Sequence, residues 1–443
     1  MRNYYSAFLK WKWYQKLILL FLLFFPFRFL YGITSEFWFE DELQIYLIGL
    51  KFYASGEWPF FGPDIVYTSS QIPGALQGLL VGLPFYIFPI PEAPYILLNI
   101  LSFLSLFLLG HYIIRYHCKK IPEWFLWTWI FMAPWVMNLS THVINPSYVL
   151  PAAIIFFISF FEIIPSTQKS MIKKPLSFFL LGFTTLWIFQ LHMSVILLFP
   201  FIAFAFYFVI KNDRFKKISS IIFFFFLGCL IGGLTLIPTI IEYGLFYGNA
   251  SSNIVFNSTN FKEIGTIFIR ILSFASFEVT RFLGSNTSTR LHFATTYYWS
   301  IPFIIIVSLV GIAQICWMII YGLKKTNDRC WKTIKVVLLI SIIITYFSFF
   351  FSVKGPSSHT FYLLLPLVLI YSFYCWERII HIKWIKIITI IFLFSSIIFH
   401  LAVAINNFKY KSLYINREKA VKAVQLKEYN ILGERRSYDR NKK

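Results

Sequence analysis

Apolar runs about twenty residues long recur along this 443-residue chain, and that length decides what it can fold into. About 20 residues of helix cross the ~30 Å hydrocarbon core of a bilayer. Read in order, the runs fall at roughly 17–35, 71–90, 94–114, 122–140, 147–164, 176–191, 194–210, 218–240, 297–321, 334–353, 360–376 and 387–405. Hydrocarbon offers no water to backbone N–H and C=O groups, so runs of this length must be helical. Hydrophobic residues make up 58% of the chain and charged ones 13%, and the weak ten-residue alternation of an outer-membrane barrel is missing. The expected fold is all-α, a polytopic membrane protein with about twelve transmembrane helices, and soluble classes are excluded. The stretch 176–210 exceeds one crossing and divides at its polar break, Gln190-Leu191-His192.

Lys and Arg in short loops orient such spans. Segments 1–16, 115–120, 165–175, 211–217, 324–335 and 377–386 hold 22 of the 40 basic residues. The opposite loops, 36–70, 141–147, 190–193, 241–296 and 354–359, hold six between them. The first set is expected in the cytoplasm and the second outside. The chain divides into a membrane domain, 1–405, and a basic tail, 406–443, with 11 Lys and Arg. The tail is nonetheless expected outside, because long polar tails translocate with little regard to charge. The first span has the basic flank and apolar core of a signal peptide without a small-residue cleavage site, and is expected to stay as an anchor. Cys118, Cys330 and Cys375 fall on the basic side and Cys229 and Cys316 inside spans, so no disulfide framework is implied. The net charge of +21 suits topology and anionic headgroups rather than nucleic acid.

Carboxylates are scarce, 19 in all, and six crowd into the loop 36–70: Glu36, Glu40, Asp41, Glu42, Glu57 and Asp64. Such a loop is a candidate site for chemistry. The apolar-periodic stretch Leu43 to Ala54 predicts a short amphipathic helix stopped by Ser55-Gly56-Glu57-Trp58-Pro59. In the loop 241–296, apolar residues from Phe261 to Leu283 alternate with Lys262, Glu263, Arg270, Glu278 and Arg281, which predicts a helix lying in the membrane interface. The eight histidines are scattered over different spans and both faces, without the spacing of a zinc site. With no outward Asp-x-Asp and no glycine-rich phosphate loop either, no metal or nucleotide cofactor is expected.

The order of parts in the first hundred residues carries a resemblance: a first span, Asp41-Glu42, a helix, the Ser55 to Pro59 turn, a polar stretch into Gln71-Ile72-Pro73, and a second run. It resembles the membrane glycosyltransferases of the GT-C fold, notably the protein O-mannosyltransferase and lipid A aminoarabinose transferase branch. The stretch Lys354-Gly355-Pro356-Ser357-Ser358-His359, leading to Leu365-Pro366, is similar to the outer loop these enzymes place before a late span. The resemblance implies inverting transfer of a sugar from a polyprenyl-phosphate carrier to a lipid, glycan or protein acceptor, at the periplasmic face of a bacterial inner membrane. It implies no metal and no nucleic-acid partner.

Such a reaction needs a carboxylate to take the acceptor's proton and cations to hold the departing phosphate. The resemblance implies Asp41 as the base, with Glu40 and Glu42 tuning it through like-charge repulsion. Lys354, Arg270, Arg281 and Arg290 are the phosphate candidates. Gln190 and His192, similar to a Gln-x-His of bacterial relatives, and His359 are candidate donor contacts. Each has a plainer reading: the acids as the first turn of a helix, the cations as headgroup partners, the histidines as satisfied structural residues. Where aminoarabinose transferases carry Lys-Pro-Pro before the second span, this chain has Ser69-Ser70-Gln71-Ile72-Pro73, which weakens the case for that phosphate contact and that sugar. A transporter or flippase of lipid-linked sugars and an O-antigen ligase or polymerase stay open. The acidic first loop argues against both, and scarce mid-span charge against the transporter, with Arg28 and Glu162 read as near the ends of their spans.

Overall fold

The computed structural model describes residues 12–35, 39–64, 71–164, 170–212, 215–244, 256–276, 282–284, 286–352, 355–408 and 412–425. Eighteen α-helices follow one another among them. The first nine are α1 (Trp13–Thr34), α2 (Phe39–Ser55), α3 (Leu76–Gly82), α4 (Ala93–Tyr112), α5 (Glu123–Met132), α6 (Pro134–Ser140), α7 (Val149–Ile163), α8 (Lys174–Phe189) and α9 (Phe199–Asn212). The rest are α10 (Phe215–Gly232), α11 (Ile237–Tyr243), α12 (Ile264–Ser273), α13 (Thr287–Thr296), α14 (Ile301–Leu323), α15 (Arg329–Phe349), α16 (Leu365–Glu377), α17 (Lys383–Phe408) and α18 (Ser412–Gln425). Proline opens α4, α6, α8, α11, α14 and α16, where its missing N–H costs nothing. The all-α expectation meets one exception, a two-stranded antiparallel ribbon of β1 (Phe61–Asp64) and β2 (Gln71–Pro73) in the first loop.

Seven helical segments are long and apolar enough to cross a membrane, or eight if the pair Ile218–Gly232 and Leu234–Tyr243, bent by 47°, counts as one. This is a multi-pass membrane protein. The run 122–140 is broken, because Ala133 adopts an extended ψ of 134° before Pro134 opens α6.

Long-range contacts sort the loops onto two faces. On one, Lys16 pairs with Glu123 at 2.6 Å, the Lys120 amide donates to Glu377 at 2.6 Å, and Cys330 Sγ lies 3.6 Å from His117 Nδ1. These residues belong to the basic loops or border them. On the other face Ser35 Oγ lies 2.8 Å from His142 Nε2, Thr239 donates to the Phe60 carbonyl at 2.7 Å, and Asn257 Nδ2 donates to that of Ser352 at 3.2 Å. The charge partition thus coincides with the packing.

The run 71–90 departs from the expected span. Its helical part, Leu76–Tyr86, covers 11 residues, about 16 Å at 1.5 Å per residue, half of a bilayer core. Gly74 at its start packs on Gln190, and just past its end Tyr46 Oη donates to the Pro91 carbonyl at 3.2 Å. Gln190 and Tyr46 both belong to the face opposite the basic loops, so the run returns to the face it left. Its apolar length reflects burial of α3 against α2, where Gly82 meets the Gly49 carbonyl and Gly78 meets Pro59.

The loop 241–296 also differs from the expected interfacial helix. The amphipathic α12 is present, but it carries the chain inward, and Ser273, Phe274, Ala275 and Ser276 are fully buried. The Ala275 carbonyl accepts from Trp129 Nε1 at 2.7 Å and from Gln314 Nε2 at 2.8 Å. Gln314 is thirteen residues into α14, about 20 Å from that helix's start. The segment therefore dips to mid-membrane depth, where protein rather than lipid receives its non-helical backbone.

Helices α8 and α10 make the closest pair. A Cβ on Gly228 would meet the Phe179 carbonyl oxygen, one on Gly232 that of Phe183, and one on Gly182 that of Phe225. Gly228 and Gly232 form the small-xxx-small pattern that lets helix backbones approach in lipid. Alanine favours a helix over glycine by about 1 kcal/mol, but here the clash with backbone outweighs it. Gly228→Ala is expected to destabilise the protein by roughly 1–3 kcal/mol, read as a lower thermal midpoint in detergent; an unchanged or higher midpoint would contradict this packing.

Candidate functional site

The site is built on the face opposite the basic loops. Its foundation is a polar seam between α1 and the broken α5–α6 span. The break at Ala133-Pro134 frees the Phe131 carbonyl, which accepts from Arg28 Nη1 at 2.7 Å, while Arg28 Nη2 donates to Ser140 Oγ at 2.6 Å. One and two turns further along α1, Tyr31 Oη donates to Asn138 Oδ1 at 2.6 Å, and Ser35 meets His142 through its hydroxyl and its carbonyl, both at 2.8 Å. Positions 28, 31 and 35 share one face of the helix. Arg28 is 0% exposed, a buried charge at the inner end of the seam, six residues before the end of α1. Among the described residues no carboxylate pairs with it, and its Nε lacks a hydrogen-bond partner.

The seam ends at Ser35, and α2 begins at Phe39 with residues 40, 41 and 42 in its first turn. The acids thus occupy a helix N-terminus, as the plainer reading anticipated. Glu42 is 1% exposed. The side chains of Glu40 and Asp41 lie outside the described residues, as do Lys354 and Arg281 altogether.

The other candidates form a chain across this face. Gly74, held at φ 105°, packs directly on the Gln190 side chain, a contact any Cβ would block. Gln190 is fully buried, donates to the Gly232 carbonyl at 2.9 Å and accepts from Thr235 Oγ1 at 2.7 Å. His192 accepts the Ser194 amide on Nδ1 at 3.1 Å, which leaves its proton on Nε2. Its ring stands edge-on to His359, with centroids 6.4 Å apart. Gln190 and His192 therefore part at the hairpin tip, one to the first loop and one to the late loop. His359 Nδ1 lies 2.8 Å from Ser357 Oγ, and Arg270 on α12 donates to the Pro356 carbonyl. The structure thus gathers Arg270, His359, His192 and Gln190 on one face. Arg290 stands apart, its Nε donating to the Gly284 carbonyl at 3.0 Å.

Three polar residues were not picked out from sequence: Arg28, His142 and Arg417. Arg28 carried a signal in retrospect, being the one basic residue in neither set of loops nor the tail. His142 had none, because only folding brings Ser35 to it. Among the described residues no group of three His, Cys, Asp or Glu side chains could hold a metal ion.

Burial pushes the His142 imidazole down to about 4, opposed by the Ser35 and Asn138 carbonyls that face its two ring nitrogens. Burial, with His359 adding to it, pushes His192 down to about 3. Both rings are neutral in the fold yet protonate near pH 6.5 in an unfolded chain. Between those values the unfolded state binds more protons, so this stabilisation is complete above about pH 6.5 and is lost as pH falls. The thermal midpoint in detergent should drop between about pH 7 and 5, and His142→Gln or His192→Gln should flatten the slope; a flat wild-type profile would refute it.

No family model matches the chain, and neither the curated proteins nor the solved structures contain a match.

Proposed function

We propose that the protein is a GT-C-type membrane glycosyltransferase, transferring a sugar from a polyprenyl-phosphate donor to a lipid, glycan or protein acceptor at the face opposite its basic loops. One observation carries this reading: elements far apart in sequence converge there around the acidic first loop. The first loop touches the hairpin tip through Gly74 and Gln190, the tip reaches the late loop through His192 and His359, and the late loop is held by Arg270. In this reading Asp41 takes the proton of the acceptor hydroxyl as its oxygen attacks the anomeric carbon. The bond to the lipid phosphate breaks on the opposite side of that carbon, which inverts its configuration. Arg270 on α12, with Lys354 of the late loop, meets the phosphate charge, while the Nε2–H of neutral His192 is a donor for a sugar hydroxyl.

Arg28 favours a second reading. A buried cation without an acid partner among the described residues, beside a broken helix and near a dipping segment, is also what a transporter of lipid-linked anions presents. Sugar transfer in membranes decides between the two. Asp41→Asn is expected to abolish transfer from a radiolabelled polyprenyl-phosphate sugar while the protein elutes as a folded species. Undiminished transfer would remove Asp41 as the base. Carrier translocation without any transfer would establish the transporter.

A further inference from the structure

Among the described residues of the basic tail, one charge is buried. Helix α18 packs along α2, with Arg417, Ala420 and Val421 turned inward and Lys419 and Lys422 exposed. Arg417 is 2% exposed, no more than Val421. Its guanidinium donates to Tyr95 Oη and, at 3.3 Å, to the Ile33 carbonyl, and it stacks 4.6 Å from the centre of the Tyr95 ring. Ile33 belongs to the last turn of α1, two residues before the Ser35 that holds His142.

We infer that the carboxy-terminal helix is a working part of the candidate site, with Arg417 as a positioning residue that ties α2, through α18, to the last turn of α1 and to Tyr95. Its effect on catalysis rests on the glycosyltransferase reading; the docking rests on geometry alone. Removing a guanidinium from water is expensive unless its surroundings repay it. Here the cation binds the last turn of α1 from a helix that packs on α2, so it ties the end of α1 to the helix whose first turn holds residues 40, 41 and 42. The fork geometry that joins Tyr95 to Ile33 is particular to arginine, whereas the charge is shared with lysine. The docking also accounts for a basic tail on the face that other basic segments avoid: its central cation is engaged by the protein.

Two measurements on the full chain test this. Lys422→Cys should react with a membrane-impermeant maleimide on intact cells, whereas Lys325→Cys on the basic face should react only after permeabilisation. Labelling of both cysteines from the same side of the membrane overturns the docking, whichever side that is. In membranes, Arg417→Gln should lower sugar transfer about tenfold or more, and Arg417→Lys should stay within about threefold of the unaltered protein. Full transfer by Arg417→Gln overturns the positioning role, as does a loss in Arg417→Lys equal to that of Arg417→Gln. Should Arg417→Gln fail to fold, Tyr95→Phe, which removes only the hydroxyl acceptor, should give a smaller loss of about fivefold, and full transfer by it overturns the role. If the unaltered protein transfers no sugar, the enzymatic reading falls and the catalytic role of Arg417 with it, while the labelling still decides the docking.

Discussion

Every backbone polar group at membrane depth must find a partner within the protein, and wherever a helix breaks that duty passes to a side chain. The Phe131 carbonyl freed by the Ala133-Pro134 break accepts from Arg28, and the Ala275 carbonyl at the bottom of the dipping segment accepts from Trp129 and Gln314. Gln190 donates to Gly232 at the end of α10, and Asn260 Nδ2 donates to Phe349 at 2.8 Å at the end of α15. These donors come from distant parts of the chain. Each therefore satisfies a break and also fixes one element against another, which is how the irregular backbone that shapes the candidate site is held in place.

Glycine supplies the complementary device. Where Gly228, Gly232 and Gly182 line the α8–α10 contact, and Gly82 meets the Gly49 carbonyl in the α2–α3 contact, backbone comes directly against backbone. The first pair sets the height of the hairpin tip with Gln190 and His192. The second folds the run after the first loop back along α2. Gly74 then joins the two units through Gln190. Close backbone approach thus determines which polar side chains can meet on this face.

Much of the class and sidedness was readable in the sequence. Apolar run length, the Gln190-Leu191-His192 break and the loop bias of Lys and Arg are local or additive properties, and the contacts Lys16–Glu123 and Lys120–Glu377 respect the same partition. The runs 71–90 and 261–283 were misread because hydropathy reports that a segment avoids water and is silent on whether lipid or protein covers it. The partner of Arg28 was not legible for a related reason: the broken helix that needs its donors is folded beside it from more than a hundred residues away.

The sequence by itself determined an all-α membrane protein, the face each loop occupies, and a first loop rich in carboxylates, because burial of apolar length and the cost of moving charge across lipid act on composition. Only the tertiary structure decided that 71–90 returns to its own face, that α12 dips inward, and that Arg417 is buried against Tyr95 and the end of α1. Those outcomes depend on which distant donor reaches which unsatisfied carbonyl and on where two glycines let backbones touch. Such pairings join residues up to 384 positions apart, as Ile33 and Arg417 are, and no local pattern encodes them.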